Sequence, residues 1–112
     1  MYDHPKSKQY KKHVQKVAAP YLPQKPLTGA LSMKVTIYRG FLKSFSKRQR
    51  MDADRGLLLP VTRPDVDNLA KTFMDALNGL AYTDDSQIVT LIAEKKYAEF
   101  ARVEIEIYPH EG

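Results

Sequence analysis

At 112 residues the chain is long enough for one domain with a modest core. Its 43% hydrophobic and 28% charged residues are ordinary for a globular fold and exclude a disordered chain. The lack of cysteine excludes disulfides and thiolate metal sites. No apolar run approaches the roughly 18 residues of a membrane span. The opening Met1-Tyr2-Asp3-His4-Pro5 lacks the apolar stretch of a signal peptide, so a cytoplasmic location is expected. The net charge of +5 conceals an asymmetry: residues 1–50 carry 12 Lys or Arg against one acid, whereas residues 51–112 carry 6 against 12 acids. Such a division suits cations for a polyanion, of which nucleic acid is the commonest, and carboxylates for another task. A solubilising lysine surface explains the same charge.

In chain order, Ser7 to Ala18 reads as a helix, with Tyr10, Val14 and Val17 at i, i+4 and i+7 and lysines over the rest of its surface. Pro20, Pro23 and Pro26 stop it and predict an extended connector. Leu31, Met33, Val35 and Ile37 then alternate with Ser32, Lys34 and Thr36, the pattern of a half-buried strand over 31–38. Phe41, Leu42 and Phe45 share the spacing of a short helix in a strongly basic stretch that Gly56 ends. Residues 57–64 are expected to be extended, since each proline biases its predecessor away from helix. A helix over about 66–78 follows, with Leu69, Phe73 and Leu77 as its apolar stripe and Asn78-Gly79 as its stop. Residues 82–86 read as a polar turn. Strands over 87–95 and 101–108 complete the chain, expected as a hairpin joined by residues 95–99.

The most informative segment is Pro64-Asp65-Val66-Asp67-Asn68-Leu69-Ala70-Lys71. It sets two carboxylates at i and i+2 at a helix start, and Asp67, Lys71 and Asp75 continue a polar stripe roughly opposite the apolar one. Asp84-Asp85 supplies a further acidic pair, in a turn expected to fold back towards the helix start. Carboxylates gathered in this way repel one another unless a hard cation such as Mg²⁺ lies between them. That ligand set, completed by water and substrate phosphate, suits phosphoryl chemistry. Lys71, one turn beyond Asp67, is placed to add positive charge where a transition state gains negative charge. By spacing alone, helix caps, turn residues and a surface Asp67–Lys71 ion pair are the commoner explanation. His4, His13 and His110 have no ligand spacing and read as surface residues. Tyr97 and Phe100 read as packing or loop aromatics. Lys43, Lys47, Arg48 and Arg50, set among aromatics, and Arg63 are the candidates for touching DNA, although a solvated basic face fits the segment as well.

The ordered series Asp65-x-Asp67-Asn68-x-x-Lys71, then Asp75-Ala76-Leu77, then Asp84-Asp85-x-Gln87 closely resembles the RusA family of Holliday-junction resolvases, endodeoxyribonucleases often carried by phages and prophages. The resemblance runs from about Arg63 to Tyr108, with a looser likeness of Met1–Ala18 to the family's first helix. It implies an α+β fold in one RusA-like domain over residues 1–112, a small mixed sheet packed with two or three helices. Family members usually begin with a strand and a Pro- and Arg-rich loop; here a helix starts by about Ser7, so that strand is expected to be missing. By position, Asp65, Asp67 and Asp85 match the family's Mg²⁺-binding acids, for which Mn²⁺ could substitute. Lys71 matches its active-site lysine and Asp84 the neighbouring acid.

The resemblance further implies a homodimer that resolves four-way DNA junctions by paired symmetric nicks. A branched-DNA-binding module that does not cut is the alternative, and a small basic protein that binds an acidic partner is a third reading. Carboxylates facing DNA add nothing to binding alone, which favours the nuclease.

Overall fold

Leu31, Met33, Val35 and Ile37 are all buried, and the strand that carries them is the middle one of a three-stranded sheet. The computed structural model describes residues 5–111. Its elements are α1 (Pro5–Ala18), a 3₁₀ turn (Ala19–Tyr21), β1 (Leu31–Gly40), α2 (Lys47–Asp54), α3 (Val66–Ala76), a second 3₁₀ turn (Asp85–Gln87), β2 (Ile88–Ala98) and β3 (Arg102–Pro109). The result is the α+β arrangement of a small mixed sheet with three helices.

The order of strands is β2-β1-β3, with β2 parallel and β3 antiparallel to β1. Two sequence expectations change as a result. β1 is buried more fully than a half-buried strand: Ser32 and Thr36, on the face opposite the aliphatic residues, are only 6% exposed because strands flank them on both sides. The last two strands, moreover, are not a hairpin. Residues 99–101 carry the chain from one edge of the sheet to the other, and β1 lies between.

The basic stretch after β1 also differs from expectation. Phe41 and Phe45 lie before α2 rather than in it, and Phe45 packs edge-on against Tyr97 with ring centroids 5.2 Å apart. The helix starts where Ser46 caps it: the Ser46 hydroxyl accepts from the Gln49 amide while the Gln49 side chain accepts from the Ser46 amide. This reciprocal box satisfies amides that helix geometry leaves free. Gly56, at φ 78°, takes the chain out of that helix in a conformation L side chains rarely adopt.

The core is the inner face of the sheet with α1 and α3 laid over it. Phe73 and Leu77 of α3 join Leu31, Met33, Val35, Ile37 and Tyr82, and Val14, Leu69 and Ile105 pack around them. The ring of Tyr10 on α1 meets Phe73 edge-on at 5.8 Å. Gln15 of α1 donates to the Ala76 carbonyl at 2.9 Å, and Lys11 stands 3.7 Å from Asp75, so α1 is tied to the C-terminal half of α3 by polar contacts as well.

Phe73 is therefore the side chain that α1, α3 and β1 share. Replacing it with alanine is expected to lower unfolding free energy by about 3–5 kcal/mol, measured by urea denaturation. A cost below about 1 kcal/mol would mean that the ring is not at the centre of the core.

Candidate active site

The acids at the start of α3 are held open rather than spent on capping. Asp65 occupies the N-cap, yet its side chain makes no cap hydrogen bond, in contrast to Ser46 and Asp84, whose side chains both cap. Its backbone carbonyl accepts from Leu69, beginning the helix. Asp67 lies in the first turn, and Asp65, Asp67 and Lys71 are all exposed. Two carboxylates are favoured there by the positive end of the helix dipole. Among the described residues no ion pair joins Asp67 to Lys71, so the surface-pair explanation of that spacing does not hold.

The segment leading to Asp65 is fastened from beneath by two cations. Arg39, near the end of β1, donates through one nitrogen to the Thr62 hydroxyl and to the Arg63 carbonyl, both at 2.9 Å. Lys95, on β2, donates to the carbonyls of Thr62 at 2.8 Å and Pro64 at 3.1 Å. Three successive carbonyls are thus met by two positive charges, and the Arg63–Pro64 peptide between them is cis. Sequence reasoning missed both cations, because neither stands near the acidic motif in the chain.

The second acidic pair lies towards the other end of α3. Tyr82, expected in a polar turn, is wholly buried and donates from its hydroxyl to the Met74 carbonyl at 2.6 Å. Burial pushes its phenol pKa well up from the usual 10.0, and the nearby charges of Asp85, Asp75 and Asp84 push the same way. Asp84 caps the 3₁₀ turn, accepting from the Ser86 amide at 3.1 Å, while Gln87 reaches back to the Asp84 amide at 2.9 Å. Hydrogen bonds from Ser86, with a further one from the Asn78 side chain, hold the exposed Asp84 carboxyl below the usual carboxylate range. Asp85, half-buried, opens that turn.

The expected fold-back of Asp84-Asp85 onto the helix start is therefore corrected. Because β1 and β2 are parallel, the helix between them runs back along the sheet. Residues just before β2 consequently meet its C-terminal half. Asp67 and Asp75 alone are separated by about 12 Å of helix rise. Among the described residues no three His, Asp or Glu side chains are close enough to hold one metal ion. The chain thus presents two acidic groups, Asp65 with Asp67 and Asp84 with Asp85, at different stations along α3.

The candidate DNA contacts are accessible. Lys43 precedes α2, Lys47, Arg48 and Arg50 lie on it, and Arg63 is in the approach to Asp65; all five are exposed. Arg48 stands 3.4 Å from Asp52 on the next turn. Tyr97 is a packing residue against Phe45, as expected, and Phe100 is 74% exposed. His13 and His110 are exposed, with His110 Nδ1 sharing a 2.9 Å hydrogen bond with the Ser32 hydroxyl; His4 lies outside the described residues.

Compared with known protein families, residues 1–108 match the one described as Endodeoxyribonuclease RusA. The chain belongs to the RusA endodeoxyribonuclease family. It is 48% identical over 109 residues to the uncharacterized protein YqaN of Bacillus subtilis (strain 168), which covers 96% of this chain and 77% of that protein. It is also 53% identical over 47 residues to the crossover junction endodeoxyribonuclease rusA of Lactococcus phage r1t, a match of 41% of this chain and 36% of the phage protein. The RusA assignment agrees with the α+β architecture and with the ordered acids of α3 and the turn before β2. No helix among the described residues is long and apolar enough to cross a membrane.

Tyr82 links the two halves of this region, and its chemistry gives a measurable signature. Its raised pKa contributes stability that is intact below pH 10.0 and is lost as the pH climbs through and beyond that value, where the unfolded phenol ionises first. Tyr82→Phe is expected to cost about 1 kcal/mol at neutral pH through the lost bond to Met74, and to lose less stability than the parent above pH 10.0. Urea denaturation at pH 7 and in the alkaline range measures both. Equal alkaline losses in the two proteins would contradict the assignment.

Proposed function

We propose that this RusA-family protein is a metal-dependent endonuclease that resolves four-way DNA junctions as a homodimer, with each active site completed by residues of both protomers. The observation that carries the reading is the placement of Asp65 and Asp67 at one end of α3 and of Asp85 towards the other. A two-fold dimer reconciles that separation with a three-acid site.

The exposed edge of β2 supports such a dimer. Val89, Leu91 and Ile92 are 57%, 42% and 45% exposed, and Leu91 and Ile92 lie on opposite faces, so this strand with one unpaired edge shows aliphatics on both sides. An antiparallel pairing of two copies centred on Leu91 sets Gln87 across from Lys95 of the partner subunit. Lys95 binds the approach to Asp65, whereas Gln87 closes the turn that Asp85 opens. Each protomer's Asp85 therefore comes alongside the partner's α3 start, and the two-fold axis generates two such sites. Two symmetry-related sites suit a junction, where nicks in opposing strands leave two intact duplexes.

Held between Asp65, Asp67 and Asp85 of the partner subunit, Mg²⁺, or Mn²⁺ in its place, would act as a Lewis acid on the scissile phosphate. The chain's own residues do the rest. Lys71 offers a positive charge one turn from Asp67, where negative charge grows on the phosphate oxygens. Arg63 and the cations of α2 bind flanking phosphates, and such contacts make affinity steeply salt-dependent. Water attacks phosphorus and gives up a proton, the bond to the leaving oxygen breaks, and that oxygen takes up a proton in turn.

The test uses a synthetic four-way junction with and without Mg²⁺, for the parent protein and for Asp85→Asn. The reading predicts Mg²⁺-dependent symmetric nicks by the parent, with cleavage by the variant reduced at least about a hundredfold while junction affinity stays within about threefold. Junction binding without cleavage by the parent would replace this reading with that of a non-cutting branched-DNA binder.

A further inference from the structure

Ser46 and Asp84 cap the turns they begin with their side chains, whereas at α3 the N-cap carboxylate of Asp65 is left out of the capping. Something else must hold the chain that enters it. From the hydrogen bonds of the entering segment we infer that Arg39 and Lys95 are positioning residues for the nuclease site: they grip the backbone of residues 62–64 and thereby set where the Asp65 carboxylate stands. The inference rests on the nuclease reading for its consequence in catalysis, but not for the grip itself.

The chemistry of the grip is specific. An ammonium has three N–H donors, and Lys95 uses two on carbonyls two residues apart, Thr62 and Pro64. One guanidinium nitrogen of Arg39 gives its two hydrogens to the intervening Arg63 carbonyl and to the Thr62 hydroxyl. All three carbonyls ahead of Asp65 accordingly face the sheet, so the chain turns into α3 in a single orientation. Charge-assisted bonds of this kind are stronger than neutral ones, and the two cations come from neighbouring strands of the parallel pair, whose register places Arg39 opposite Tyr97 and Ile37 opposite Lys95. The grip therefore ties the position of an exposed carboxylate to the sheet.

The arrangement also separates two roles that one residue usually combines. An aspartate at an N-cap ordinarily bends its carboxylate onto the free amides of the first turn. Here the cations do the anchoring and the carboxylate stays clear. Neither cation is bonded to the Asp65 carboxylate itself, so their removal alters its placement without removing a charge partner from it.

The test compares Lys95→Met, which keeps the stem and removes the donors, with Lys95→Arg, which restores donors and charge. Amide hydrogen exchange on the full chain without metal reads the grip directly. Lys95→Met is expected to speed exchange of the first bonded amides of α3, Leu69 to Lys71, by about tenfold, leaving Ala76 and Leu77 unchanged, and Lys95→Arg is expected to restore most of the protection. On a four-way junction Lys95→Met is expected to lower kcat by about tenfold or more with KM within about twofold, because misplacing a reacting group costs rate rather than binding.

Unchanged exchange at residues 69–71 would overturn the grip, whether or not the parent protein cuts junctions. Faster exchange with an unchanged kcat would overturn the positioning role. Faster exchange together with a parent that does not cut would leave the grip standing and remove the nuclease reading instead. Arg39→Gln, which reaches the same segment from β1, serves as the second variant if Lys95→Met unfolds, with the same expected results.

Discussion

The burial of one face of α3 against β1 is the constraint on which the other features depend. Phe73 and Leu77 can meet Leu31, Met33, Val35 and Ile37 only if the helix lies along the strand. A helix joining two parallel neighbouring strands must run back along them. Its N-terminus is thereby delivered to the ends of β1 and β2 where Arg39 and Lys95 wait, and its C-terminus to the start of β2, where Tyr82 is enclosed. The acids ride on that geometry. Asp65 and Asp67 are carried to one end, and Asp84 and Asp85 stay near the other.

Much of this was legible in the residues. Periodicities of 3.6 and 2 located α1, β1, α3 and β3 because each buries one side and wets the other. Membership of the RusA family was legible too, since an ordered series of acids, amide and lysine is far more specific than any of its fragments. Pairing was not legible. The local pattern of residues 88–98 does not say whether that strand pairs with the one after it or with β1, its neighbour in the sheet. The start of α2 differs for a related reason: Phe41, Leu42 and Phe45 have helical spacing, but Phe45 packs between Phe41 and Tyr97 while Leu42 is exposed, and the signal for the helix is the Ser46–Gln49 box.

The site divides in the same way. The types and order of its acids are written in local sequence, whereas the distance between them depends on the direction of α3 relative to β2. Tyr82, among Thr83, Asp84 and Asp85, looked like part of a wet turn; its burial follows from the gap left between α3 and the sheet, which no local pattern encodes. Arg39 lies just past the strand predicted over 31–38 and Lys95 at the end of the one predicted over 87–95, and only the fold sets the carbonyls of residues 62–64 above them. In each case a residue acquired its role from a segment distant in sequence.

On the proposed reading, a site divided between the ends of α3 would make the dimer part of the chemistry rather than a convenience of symmetry, and would tie cutting of one strand to the presence of the partner that serves the other. The most direct measurement mixes two inactive proteins, Asp67→Asn and Asp85→Asn, allows their subunits to exchange, and follows Mg²⁺-dependent nicking of a four-way junction. If sites are shared, each mixed dimer regains one intact site, and the mixture recovers about a quarter of the parent's site number, seen as single nicks. If the mixture stays as inactive as its parents while mixed dimers are present, each site lies within one protomer and the shared-site account is wrong.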